Sequence, residues 1–223
     1  MPHTLRIRLV GPLQSWGTRS RFDNRDTEEA PSKSGVVGLL ASALGRSREE
    51  SVADLADLRM GVRIDRPGTR MTDYHTALNV VSSEGKLNPG RDTVVSQRDY
   101  LADAAFLVGL EGEDPQLLLK LQSALQDPHW PLFLGRKAFP PSLPVAFSAE
   151  HDPSAMCEAS LEEALVATPP VVDVDLKKPV TYLVERADGE QEWMDQPASD
   201  FRSRSFRLRR VKVVTAPWGE RWF

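Results

Sequence analysis

The sequence predicts an α+β fold in two parts, on three observations. Apolar residues recur with period 2 in some segments and helically in others. A turn-rich hairpin sequence interrupts that alternation. Six prolines between Pro128 and Pro153 then mark a shift into an acidic stretch. At 223 residues the chain is one large domain or one domain with an appendage.

The elements follow in order. Thr4 to Val10 alternates, with Leu5, Ile7 and Leu9 facing one way and Arg6 and Arg8 the other, as on a half-exposed strand. A Gly- and Pro-punctuated loop, GPLQSWGTRSRF, comes next. PSKSGVVGLLASALG reads as a helix opened by Pro31 and closed by Gly45, and REESVADLADL as a shorter one. Arg59 to Asp65 predicts a strand. TALNVV and RDTVVSQ flank the turn-rich SSEGKLNPG, so residues from about 72 to 98 predict a hairpin standing off the body. Asp103 to Leu110 is a buried strand. Asp114 caps a helix with Pro115 at its first position and Leu117, Leu118, Leu121 and Leu125 on one face. A short strand at Pro131 to Leu134 leads into GRKAFPPSLP.

Without the hairpin, residues 1–147 follow the βαββαβ ferredoxin-like plan. That plan serves many functions and decides none. Residues 148–223 are expected to form a small, mostly β C-terminal domain. It has a capping box at Ser160 to Glu163 and strands near VTYLVER, EQEWM and FRLRRVKVV.

Composition excludes several classes. No apolar run approaches the ~20 residues of a membrane span. Arg6 and Arg8 break the one early apolar stretch, so no signal peptide is expected. A single cysteine, Cys157, leaves no disulfide framework and fits a reducing cytoplasm, the expected location. His3, His75, His129 and His151 are scattered, so neither a metal nor another cofactor is expected. GxSxG and GxxxxGK[ST] are absent, and no RNP1 pattern accompanies Phe106.

The net charge of −4 argues against a nucleic-acid ligand, but the charge is segregated. Met1 to Phe22 holds four arginines and no acid, and Phe201 to Phe223 sums to +6. Arginine, 21 of the 28 basic residues, grips phosphate in a fixed fork. The plain alternative is solvated charge with a codon bias toward arginine.

Three places can carry chemistry. The helix start PSKSG offers free N–H groups, Lys33 and Ser34 to an anion, or is an ordinary capped helix. GRK, with Gly135, Arg136 and Lys137, is a phosphate site or a basic turn. Tyr74 and His75 could do acid–base work, stack on a base, or brace a hairpin. On a strand they face opposite sides, which disfavours a dyad.

RLVGPLQSWG, PSKSGVVGLLASALG, DYHTAL, VVSQRDYLADAAFLVGL and PLFLGRKAFPPSLP, in this order over Leu5 to Pro144, resemble CRISPR-associated protein family 5 in its type I-E branch. The likeness loosens after Val145, apart from the Arg-rich strand near Phe201 to Arg210. The resemblance implies an RRM-like, RAMP-type ferredoxin body whose hairpin is a thumb. It implies a role at one end of the Cascade complex, gripping the 5′ handle of the CRISPR RNA. Partners would be the backbone subunit CasC and the large PAM-reading subunit CasA, with target DNA nearby and no membrane. Carried over by position, RNA-binding residues would be Gln14, Ser15, Trp16, Gly17, Lys33, Ser34, Tyr74, His75, Arg98, Gly135, Arg136 and Lys137, with Arg202 and Arg204 added from the Arg-rich strand. The type I-C branch cuts precursor RNA with a Tyr, Lys and His set. This sequence has no lysine beside His75, and a separate subunit, CasE, cuts in type I-E, so no catalysis is expected.

Overall fold

The computed structural model describes residues 2–19, 23–81, 85, 93–147 and 156–223. In chain order its elements are β1 (His3–Val10), β2 (Leu13–Gln14), β3 (Asn24–Arg25), α1 (Lys33–Ala43), α2 (Ala53–Ala56), β4 (Arg59–Arg66), β5 (Thr69–Ala77) and β6 (Val94–Ala102). There follow β7 (Ala105–Gly112), α3 (Pro115–Gln126), β8 (Met156–Cys157), α4 (Leu161–Ala167), β9 (Val180–Glu185), β10 (Gln191–Pro197) and β11 (Phe206–Ala216). Among the described residues seven strands form one antiparallel sheet, in the order β10–β11–β9–β4–β7–β1–β8. It is a mixed α+β fold in which strands dominate.

The core follows the apolar periodicity. Leu5, Ile7 and Leu9 of β1 pack with Phe106 and Val108 of β7 beneath Val36 and Leu40 of α1 and Leu118 and Leu121 of α3. Asp114 accepts a bond from the Gln116 amide with Pro115 in the first turn, as its sequence predicts. The opposite sheet face is covered as well, which the alternation of β1 did not indicate. There α4 and the chain's end bury Leu107, Leu161, Leu165, Tyr182 and Val184. A Cβ on Gly109 would lie 2.5 Å from Leu161 Cδ1, so that glycine lets α4 sit close. Arg6 is therefore buried rather than solvated, donating to Thr168 Oγ1 at 2.8 Å.

Three boundaries differ from expectation. Residues 131–134 form a loop, because Leu134 N–H bonds Phe139 O and Phe139 N–H bonds Arg136 O in a tight local turn. The helix expected at REESVADLADL shrinks to the single turn of α2. Among the described residues the sheet crosses the expected boundary at 147/148: β9 hydrogen-bonds β4, from Gly61↔Val184 to Ile64↔Thr181.

The hairpin forms in a second sheet. β5 and β6 pair in unbroken register from Thr69↔Ala102 to Ala77↔Val94, which is closer to the body than the β-prone runs suggested. Most of the SSEGKLNPG tip lies outside the described residues.

Candidate nucleic-acid interface

β6 organises the site because three other segments converge on it. It pairs with β5 along one edge, and with β2 and β3 along the other. The β3 pairing is parallel and sets Arg25 opposite Arg98. Side chains alternate along β5 and β6, so Asp73, His75, Arg98 and Tyr100 share one hairpin face while Tyr74 points to the other.

The fourth segment is the loop after α3. Gly135 has φ +91° and lies against the Ser15 carbonyl, where a Cβ would come within 1.7 Å of the oxygen. Ser15 N–H also bonds Leu134 O at 3.1 Å. That contact locks the N-terminal loop to the GRK loop and aims Arg136 at the hairpin. The Arg136 guanidinium lies 5.4 Å from the Tyr100 ring centroid and 5.9 Å from that of Phe139, and Nη2 donates to Arg25 O at 3.1 Å.

Arg25, Arg98 and Arg136 thus meet at the hairpin base. Among the described residues none of the three has a carboxylate within ion-pair distance. Burial first, then the charge of Arg98, pushes the Arg136 guanidinium below its ordinary value, and Arg25 adds to the effect. Burial and the bond to Asp73 raise the Tyr100 phenol. A cluster of mutually repelling cations beside an aromatic ring favours an anion with a planar group attached.

The chain matches the family described as CRISPR-associated protein (Cas_Cas5) over residues 4–212. It belongs to that family. It is 31% identical to the CRISPR system Cascade subunit CasD of Escherichia coli (strain K12) over 152 residues, 62% of this chain and 67% of CasD. Two solved structures superpose over 96% of it. One, described as the crystal structure of a Cas protein, has a TM-score of 0.77 and 46% identity over 95% of its own chain. The other, from a CRISPR RNA-guided surveillance complex, has a TM-score of 0.75 and 34% identity over 90% of its own chain.

Within this Cas5-family chain the residues expected to bind RNA divide. Arg98, Gly135 and Arg136 come together at the cluster, with Lys137 exposed on the same loop. His75 joins their hairpin face, its Nδ1 3.3 Å from Asp73 Oδ2. Tyr74 is 70% exposed on the far face. Gly17 is exposed, and Ser15 is buried with its hydroxyl donating to Asp99 O. Gln14 and Trp16 are internal struts. Gln14 Nε2 donates to Leu9 O and Ala104 O, and its Oε1 accepts from Trp16 Nε1.

The helix start is the main correction. Lys33 is 1% exposed, and its Nζ bonds both oxygens of Glu185 at 3.1 and 2.9 Å. The anion expected at this helix end is the chain's own Asp195, whose Oδ2 accepts from Lys33 N at 2.7 Å. Ser34 is half-buried beside Ser32, the N-cap. Arg202 and Arg204 also lie elsewhere. Arg202 pairs with Glu49 in the loops beyond the C-terminal end of α1, whereas Trp16 packs on Gly35 in its first turn. The +6 tail is largely neutralised, since Arg202, Arg209, Arg210, Lys212 and Arg221 each reach a carboxylate.

Sequence reasoning missed Arg25 and Tyr100. Tyr100 carried a signal, being two residues from Arg98 on a strand. Arg25 carried none, because its two-residue strand has no periodicity.

Proposed function

We propose that this chain is a non-catalytic, RNA-binding subunit of a type I-E CRISPR surveillance complex that holds the 5′ handle of the CRISPR RNA. The Arg25–Arg98–Arg136 cluster carries the reading: three converging cations that meet no carboxylate among the described residues, beside Tyr100. Arginine forks hold phosphates and Tyr100 offers an edge or face to a base, while base pairing elsewhere reads the target. Family membership, the named Cascade relative and the surveillance-complex structure support the same role.

The order β4–β7–β1–β8, with α1 and α3 on one face, supports a ferredoxin-like, RAMP-type body whose thumb is the β5–β6 hairpin. In this reading the neighbours are CasC and CasA, target DNA runs nearby, and the complex works in the cytoplasm. No helix among the described residues is long and apolar enough to cross a membrane.

The test incubates purified protein with labelled CRISPR repeat RNA, a scrambled RNA and the matching DNA, without metal. Native and denaturing gels are run side by side. A shift selective for the repeat, with intact RNA, is expected. A discrete cut overturns the non-catalytic role.

One observation favours a second reading, a metal-independent endoribonuclease that processes precursor CRISPR RNA. The Asp73 carboxylate orients the His75 imidazole on the face that bears Arg98. A held imidazole near a phosphate-binding cation has the parts of a general base and a charge stabiliser. Tyr74 points away and cannot complete the set. Processing that survives Tyr74→Phe with His75→Ala sinks this reading.

A further inference from the structure

The loop that carries Arg25 has a second side. Thr18, Arg19 and Thr27 to Ala30 form one wall of an open groove of about 1160 Å3, floored by Ile64, Leu183 and Val213 of the main sheet. Trp193, Met194 and Phe206 line it from β10 and β11, with Met194 59% and Phe206 38% exposed. Arg209 lies 5.3 Å from the Trp193 ring centroid, and Trp193 Nε1 donates to Gln191 Oε1, so the ring is a fixed platform.

The groove's charge differs from that of the cluster. Its cations are engaged with their own wall: Arg19 pairs with Glu28, and Arg70 donates to Thr27 O. Glu29 is exposed, and so is Glu192, 3.8 Å from Arg210 on the far side. Among the described lining residues, three carboxylates against two arginines disfavour a phosphate backbone and favour an incoming cation. The volume exceeds the roughly 300–1,000 Å3 of a small-molecule site. Exposed Met194 and Phe206 beside the half-buried Trp193 ring are the kind of side chains that anchor protein interfaces.

We propose that this groove seats a segment of a neighbouring protein subunit, with an apolar side chain against Trp193 and a lysine or arginine between Glu29 and Glu192. The inference rests on the surveillance-complex reading above. It places RNA and protein neighbour on two sides of one loop, so that seating one fixes the wall of the other.

The test co-expresses the full chain with the other proteins of its CRISPR locus and a CRISPR RNA. One version carries the photo-crosslinker p-benzoylphenylalanine at Met194, and a second carries Glu29→Lys with Glu192→Lys. The expected crosslink from Met194 reaches a protein subunit, at a peptide with an apolar residue close to Lys or Arg. The double reversal lowers recovery of that subunit about tenfold or more without reducing bound RNA. A Met194 crosslink to RNA overturns the proposal in favour of a nucleic-acid occupant. Normal assembly with no crosslink overturns it, and so does undiminished recovery of the neighbour with both charges reversed. If the unmodified chain joins no RNA-containing complex, the surveillance-complex reading falls first, in a lane that contains no variant.

Discussion

Two charged clusters of this molecule use the same residue types to opposite ends. Around α1, Lys33 and Arg209 are buried and each meets a carboxylate: Glu185 holds Lys33, and Asp195 grips Arg209 at 2.6 and 2.9 Å while capping the helix. Around the hairpin base, Arg25, Arg98 and Arg136 meet none among the described residues. The strands that arrive make the difference. β9 and β10 bring acids to the first cluster, whereas β3, β6 and the 134–136 loop bring more cations to the second. A cation's role is therefore told by its counter-charge, and its place at a helix start or in a loop says less.

The sharpest way to break this comparison is Asp195→Ala. It leaves the buried Arg209 with only Glu185, 4.0 Å away, and removes the acceptor of the Lys33 amide at the start of α1, so a loss of about 3–5 kcal/mol is expected from the urea midpoint. Stability close to wild type would mean that the α1 cluster is not structural. Next comes Gly135→Ala, which sets a Cβ against Ser15 O at a positive φ. Strain of about 1–3 kcal/mol is expected, with RNA affinity falling because Arg136 is re-aimed. Unchanged binding would detach the GRK loop from the site.

Salt titration sharpens the other half. Arg98→Ala and Arg136→Ala should each lower the log–log salt slope of RNA binding by about 0.7, one lost phosphate contact on a single strand. Lys33→Met, in contrast, should leave the slope alone while destabilising the fold. A slope that changes for Lys33 and not for the arginines would reverse the assignment.

The smallest effect is a surface one. Arg186 and Lys212 hold the exposed Asp188 carboxyl at about 2, below its ordinary 3.8. A depressed folded-state value means that the contribution is complete above 3.8 and is lost as the pH falls through about 2. The slight gap in melting temperature between wild type and Asp188→Asn should therefore close over that interval. A gap that persists at lower pH would show that the ion pair is not its cause.

Much of this was legible in the sequence, and the reasons for the rest are physical. Periodicity and capping located β1, β4, β7, α1, α3 and β9 to β11, because those signals are local. The hairpin was legible for the same reason. The fate of the charges was not, since it depends on pairs far apart in the chain, such as Lys33 with Glu185. PSKSG reads as an anion site because it is one, and the sequence does not reveal that Asp195 fills it. The proline-rich shift after Pro128 suggested a second domain, and the hydrogen bonding between β4 and β9 that joins the two stretches in one sheet carries no sequence signature. Of the arginine cluster, the sequence singled out Arg98 and Arg136, while Arg25 depended on a two-residue parallel pairing.

The bond between Lys33 N and Asp195 also imposes an order on biosynthesis. The residues lie 162 apart in sequence, and a ribosome adding about 5–20 residues per second leaves roughly 8–32 s between them. Through that interval the nascent chain has α1 with an unmet N-terminus and Lys33 with no acid to bury against. The N-terminal half therefore waits, partly open, for β9 and β10 to emerge. Ribosome-stalled chains ending before residue 180 should be cut by protease near Lys33, and chains that expose residue 200 beyond the exit tunnel should resist.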